Sequence, residues 1–149
     1  MKFCLFLLAI LLTSTTAFAA VPGAVTGVWK TEGGDSQLEL FKCADKMCGK
    51  IVWLKVPKYI DSNDGPVGTT KVDRKCSDPA QRNRPIIGLQ VMKGLTAKDG
   101  NRWDNGICYD PETGKSYKCK MRLTAPDRLE MRGYIGISLI GRNFVLTRQ

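Results

Sequence analysis

Short stretches of alternating apolar and polar residues recur along this chain between turn signals, and no window sustains a 3.6-residue period. This constrains the fold most, because residues two apart share one face of a strand whereas a helix needs apolar groups three and four apart. Strands are predicted over Gly27–Thr31, Gln37–Cys43, Gly49–Val56, Ile86–Leu95, Arg102–Asp110, Lys115–Thr124, Arg128–Tyr134 and Arg142–Arg148. The sixth shows the pattern best: Lys118, Lys120 and Arg122 alternate with Tyr117, Cys119, Met121 and Leu123, a wet face against an apolar one. The third is apolar on both faces, Ile51 and Trp53 against Val52 and Leu54, which leaves its buried side undecided. Gly33-Gly34-Asp35, Lys98-Asp99-Gly100-Asn101 and Ala125-Pro126-Asp127 read as turns, and Ile135 to Gly141 as a connection or a further short strand. Eight or so strands on short turns give an all-β fold, an antiparallel sheet that closes or stacks so that no edge is left to aggregate.

One connection is long. Pro57 to Pro85 is rich in Asp, Asn, Gly and Lys, and a loop of that length in a compact domain usually carries function or moves. It is expected to lie over one end of the sheet, with a helical turn near Pro79 to Arg82.

The N-terminus reads as a signal peptide over residues 1–19: Lys2, an apolar run from Phe3 to Leu12, then Ala17-Phe18-Ala19 as an A-x-A cleavage site. The run is half the roughly twenty residues that a membrane-crossing helix needs. Cys4 lies well ahead of the cleavage point, which argues against a lipoprotein anchor. Residues 20–149 are then a single exported domain, periplasmic or secreted, with no transmembrane segment. Its formal charge is +8 once Lys2 is removed from the +9 of the whole chain. A basic surface attracts anionic envelope lipid or glycan, and otherwise serves as a solvated face. No zinc finger, RNP-type aromatic box or basic helix accompanies the charge, so nucleic acid is not an expected partner.

The chain has no histidine, which excludes a Ser-His-Asp triad, a Cys-His pair and a His-ligated zinc. No catalytic set, metal site or cofactor motif is legible, and the chain is read as not an enzyme. The cysteines left after cleavage are Cys43, Cys48, Cys76, Cys108 and Cys119, and export implies disulfides. A four-residue loop would set Cys43 and Cys48 directly opposite each other, a bridgeable separation. Around the Asp110-Pro111-Glu112-Thr113-Gly114 turn, a four-residue loop places Cys108 opposite Tyr117 with Cys119 diagonal to it, a stretch for a bridge. A six-residue loop would make the pair direct. Two connectivities stay open: Cys108–Cys119, or Cys76 with one of them.

The chain from about Gly27 to Arg148 resembles the bacterial DUF2147 family of small exported proteins. The resemblance is carried by Gly27-Val28-Trp29-Lys30-Thr31, by Cys43-Ala44-Asp45-Lys46-Met47-Cys48-Gly49 with Ile51-Val52-Trp53-Leu54, and by Arg84-Pro85-Ile86-Ile87-Gly88. It continues through Trp103, Tyr109-Asp110-Pro111-Glu112-Thr113-Gly114-Lys115-Ser116-Tyr117, Leu129, Arg132-Gly133-Tyr134, Gly141-Arg142 and Thr147-Arg148. It implies a single antiparallel, calycin/lipocalin-like β-barrel of about eight strands, and no established activity. Three positions depart from the family pattern. Cys76-Ser77-Asp78-Pro79 stands where Asn-Pro-Asp-Pro is expected, which puts a loop-based function in doubt. Leu146 replaces a tryptophan, which should weaken packing near the C-terminus, and Cys108 and Cys119 are additions, which supports their pairing with each other.

Gly27-Val28-Trp29 also looks like the G-x-W that opens lipocalin barrels, where a C-terminal arginine lies over the indole; Arg148 is placed to do so here. Asp110 is read as the acceptor for its own turn amides, with Pro111 and Gly114 setting the backbone. Asp73, Asp78, Arg82 and Arg84 are the loop's polar candidates: an Asp78–Arg84 pair could tie the loop to the rim, or Arg82 and Arg84 could hold an anionic ligand head. Trp53, Trp103 and Tyr109 are the candidate pocket aromatics. The leading expectation is a barrel binding a small, mostly apolar or amphipathic ligand at its open end. The alternative is an envelope protein whose barrel is filled and whose basic outside meets an anionic surface.

Overall fold

The computed structural model describes residues 25–98 and 100–149, and the expected signal peptide lies outside them. The strands are β1 (Gly27–Thr31), β2 (Ser36–Cys43), β3 (Lys46–Leu54), β4 (Gln90–Ala97), β5 (Arg102–Asp110), β6 (Lys115–Ala125), β7 (Arg128–Tyr134) and β8 (Gly141–Arg148). Each pairs antiparallel with the next, and β8 pairs back onto β1 through Trp29↔Arg148, closing the barrel. Apolar residues point inward, while Lys118, Lys120 and Arg122 stay on the wet face as their alternation predicts. No helix among the described residues is long and apolar enough to cross a membrane.

One end is plugged. Trp29 is fully buried, its indole N–H donating to the Val25 carbonyl at 2.8 Å, and the Arg148 guanidinium lies 4.3 Å from its ring centre. Burying an indole is worth roughly 4–6 kcal/mol at about 25 cal/mol per Å². Arg148 is held in turn by the Thr26 and Pro126 carbonyls, each at 3.0 Å. Leu40, Met92, Leu95, Leu123, Leu129 and Leu146 fill the layer above. Leu146 is buried there, at 2% exposure.

Both cysteine pairs are bridged, Cys43–Cys48 and Cys108–Cys119, with Cα atoms 5.8 Å apart in each, and Cys76 is a buried free thiol. The β5–β6 hairpin has the four-residue loop that sets Cys108 opposite Tyr117, whereas the geometry expected of the Cys43–Cys48 hairpin needs correction. The β2–β3 loop has two residues, not four: Cys43 pairs with Lys46 around Ala44, which adopts the left-handed φ of 57° that tight hairpins require. β3 therefore begins at Lys46 rather than Gly49. In both hairpins the bridge joins a cysteine to the residue two beyond its cross-strand partner, since Cys48 faces Phe41 and Cys119 faces Gly106. Right-handed strand twist shortens one diagonal of the ladder, which brings such pairs within disulfide reach. Gly106 is required there, because a Cβ at that position would lie 2.5 Å from Leu95 Cγ and 3.0 Å from Cys119 Sγ.

β4 starts at Gln90, later than expected. Pro85 lacks an amide donor and Gly88 turns at φ 94°, so Ile86 to Leu89 forms a turn, donating from Gly88 N to the Ile51 carbonyl at 2.7 Å.

Candidate functional site

Opposite the plug the barrel is open, and residues 55–89 fold over its mouth. A cavity of about 650 Å³ lies beneath them. Ile51, Leu54 and Ile86 form its apolar side, Asp35, Ser36 and the Asp110–Glu112 turn its rim, and Tyr59, Asp64, Lys71, Val72, Arg74 and Lys75 of the loop its cover. Acidic and basic groups both reach it, so it matches an apolar body carrying a polar or charged end.

The loop is ordered by specific contacts. Isolated bridges pair Lys58 with Thr70 and Val72 with Pro85. Tyr59 is buried, its hydroxyl donating to the Val72 carbonyl at 3.1 Å. Gly65 lies so close that a Cβ there would meet the Tyr59 ring at 2.7 Å. Arg74 sits 5.9 Å from that ring and donates to the Asp64 carbonyl. Gly114 lets the β5–β6 turn approach the loop, since a Cβ there would collide with the Lys75 carbonyl oxygen.

The main anchor is Asp73, the one buried charged residue among those described. Arg84 Nε and Nη2 donate to its Oδ2 at 3.0 and 2.8 Å, and the Tyr109 hydroxyl to its Oδ1 at 2.7 Å. The hydrogen bond from Arg84 to Asp73 raises the guanidinium's pKa further, keeping it charged. Burial first, then the hydrogen bond to Asp73, push the Tyr109 phenol well above its ordinary value. Cys76 packs beside this pair, with Arg84 Nη2 3.8 Å from its sulfur, and Arg82 Nε donates to the Cys76 carbonyl at 2.7 Å. The expected Asp78–Arg84 pair is thus replaced by Asp73–Arg84. Asp78 instead caps the 3₁₀ turn Pro79–Gln81, the helical turn predicted there, accepting from Ala80 N at 3.0 Å and Gln81 Nε2 at 2.7 Å. These hydrogen bonds hold its carboxyl below the usual range, the Gln81 bond contributing most.

The predicted ligand residues are therefore dispersed. Trp53 is 39% exposed and faces outward, because a bulge in β3 turns Ile51 and Leu54 inward together and Trp53 away. Trp103 is buried at the plugged end, beside a smaller pocket of about 210 Å³. Asn105, at φ 63°, bulges β5 and moves Tyr109 to the outer face under the loop, while Asp110 reaches the cavity. Arg84 gives all three of its nitrogens to the loop itself, and Arg82 gives its Nε. Asp110 does cap its turn, accepting from Glu112 N at 2.9 Å and Thr113 Oγ1 at 2.8 Å. The cavity residues Ile51, Leu54, Ile86, Lys71, Arg74 and Lys75 were not singled out by sequence; the length of the loop between two strands was the available signal.

The family model of DUF2147, uncharacterized proteins conserved in bacteria, matches residues 27–148. No curated protein matches the chain. Among solved structures, protein HP1028 from the human pathogen Helicobacter pylori, described as belonging to the lipocalin family, is similar with a TM-score of 0.71 and 19% identity, over 84% of this chain and 82% of that one. A redesigned β-barrel aligns at 18% identity and a TM-score of 0.45, over 91% of this chain and 99% of its own.

Proposed function

Because this chain belongs to the bacterial DUF2147 family and folds as a lipocalin-like barrel, we propose that it binds a small amphipathic molecule at its open end, in an oxidising compartment outside the cytoplasm. The observation that carries the reading is the cavity of about 650 Å³, apolar where it meets the barrel and charged where the loop covers it. The opposite end, plugged by Trp29 and Arg148, leaves one natural mouth for entry. The ligand's apolar part rests on Ile51, Leu54 and Ile86, and its polar end meets Lys71, Arg74 or Lys75. The two disulfides support the compartment, since such bridges persist where thiols are oxidised. No catalysis is part of this reading.

Native mass spectrometry of the protein purified from its own envelope tests it, together with titration by dodecanoate as a probe. The expected result is a retained small molecule on the native chain and its loss in Leu54→Trp, which fills the mouth. A chain that carries nothing, and binds dodecanoate no differently after Leu54→Trp, would refute the proposal.

A further inference from the structure

The β7–β8 connection at the open end is unusual for a loop in water. Ile135, Ile137, Leu139 and Ile140 are 66%, 60%, 83% and 68% exposed, four aliphatic side chains in six residues. A patch of that kind on a soluble chain marks an interaction site. Part of the hairpin's backbone, by contrast, is tied inward. Ile135 N donates to the Ile140 carbonyl at 3.3 Å and Ile140 N to that of Ile137 at 3.1 Å. Arg132 reaches from β7 to the Ser138 and Leu139 carbonyls at 2.6 and 3.0 Å, and to Asn143 Oδ1 at 2.7 Å. Aliphatic groups turned outward over carbonyls tied back suit shallow insertion at the boundary of headgroups and acyl chains, where water still reaches the remaining amides.

The charge behind the tip is complementary to the same phase. Lys118 stands opposite Tyr134 and Lys120 opposite Arg132, so three cations and a tyrosine follow the tip within roughly 10 Å, at about 3.3 Å per residue. Arg132 spends its donors on neutral oxygens, so its charge is retained. The one outward carboxylate on these two strands, Glu130, is set further back beside Arg128 at 3.7 Å. Aliphatic groups ahead, an aromatic at their base and cations behind them reproduce the layering of a bilayer interface: acyl chains, glycerol region, phosphates.

We propose that residues 135–140 insert into the surface of an anionic lipid bilayer, with Lys118, Lys120 and Arg132 meeting its phosphates. The barrel then docks by its open end. This inference rests on the exposed hairpin and stands independently of whether the cavity holds a ligand.

Flotation with vesicles of mixed phosphatidylglycerol and phosphatidylcholine, and with phosphatidylcholine alone, tests it. The protein is expected on the anionic vesicles and to be released in part by salt. Ile137→Asp or Leu139→Asp should each weaken partition about tenfold or more, since each withdraws one aliphatic side chain from lipid. Lys118→Glu with Lys120→Glu should lower binding to anionic vesicles and flatten its salt dependence. Circular dichroism unchanged by these surface substitutions, and unaltered dodecanoate binding, separate the result from misfolding and from failure of the cavity reading. Vesicle binding that is absent, or indifferent to Ile137→Asp and Leu139→Asp, overturns the proposal. So does a dimer in sedimentation equilibrium that Leu139→Asp dissociates, which would assign the patch to a second copy of the chain.

Discussion

Replacing Asp73 by asparagine removes the charge that ties the cover loop to the barrel while keeping the side chain's shape. The carboxylate is fully buried and accepts two bonds from Arg84 and one from Tyr109. An amide has one acceptor oxygen, so it must offer an N–H either to the phenol or to a guanidinium that has nothing to accept with. Breaking a buried ion pair costs about 3–5 kcal/mol. Arg84 keeps 38% of its side chain exposed and can rehydrate, which lowers the expected loss to about 2–3 kcal/mol. For a domain of this size that corresponds to a fall in Tm of roughly 6–15 °C. Because Asp73 fastens the two limbs of the loop through Arg84 and ties them to Tyr109 of β5, the loop should open first. Hydrogen exchange at the amides of Asp73, Cys76 and Ile86, all bonded within the loop, should accelerate about 30- to 150-fold, with the barrel strands less affected. An Asp73→Asn protein within about 0.5 kcal/mol of the native chain, with unchanged exchange at those amides, would refute the anchoring role.

Arg148→Met should cost about 1–2 kcal/mol through loss of the contact over Trp29, read from urea unfolding followed by tryptophan fluorescence. Cys108→Ser with Cys119→Ser should destabilise by about 3 kcal/mol on the loop-entropy estimate, and a thiol count of the unfolded native chain should find Cys76 as the one free cysteine among the described residues. In an alkaline titration at 295 nm, about the tyrosinate band, the step missing from Tyr109→Phe should lie well above the ordinary phenol value near 10. The raised folded value makes the neutral phenol's contribution to stability complete below the unfolded pKa, and it is lost as pH rises through the folded one. Asp78 acts at the other extreme: its lowered carboxyl supports the 3₁₀ turn above about pH 4 and ceases to as pH falls through the folded value, which exchange at Ala80 N should report.

The barrel was legible because each of its strands carries its own alternation, and β1, β5 and β7 run over the predicted residues. What was not legible has a common cause. The bulges at Asn105 in β5 and between Ile51 and Trp53 in β3 each shift the inside–outside parity by one residue; the first is announced by Asn105-Gly106, while the second has no glycine or proline beside it. These bulges turn the candidate pocket aromatics Tyr109 and Trp53 outward, and the two apolar faces of β3 gave no way to tell which side of it is buried. The hairpin at Ala44 was misjudged for a related reason: alanine seldom takes positive φ, so a two-residue turn there had no signal. The pairing of Asp73 with Arg84 depends on how the long loop returns to the sheet, which local spacing does not encode. Ile135 to Ile140 did carry a signal, four aliphatics in a connecting segment, but its exposure became evident only with the barrel closed.

The most direct test of the ligand-binding account is a crystal structure of the protein isolated without delipidation. The account predicts continuous density between Ile51, Leu54 and Ile86 and the cover loop, with its polar end beside Lys71, Arg74 or Lys75. A mouth collapsed onto those three apolar residues, or a bound molecule seated elsewhere on the barrel, would contradict it.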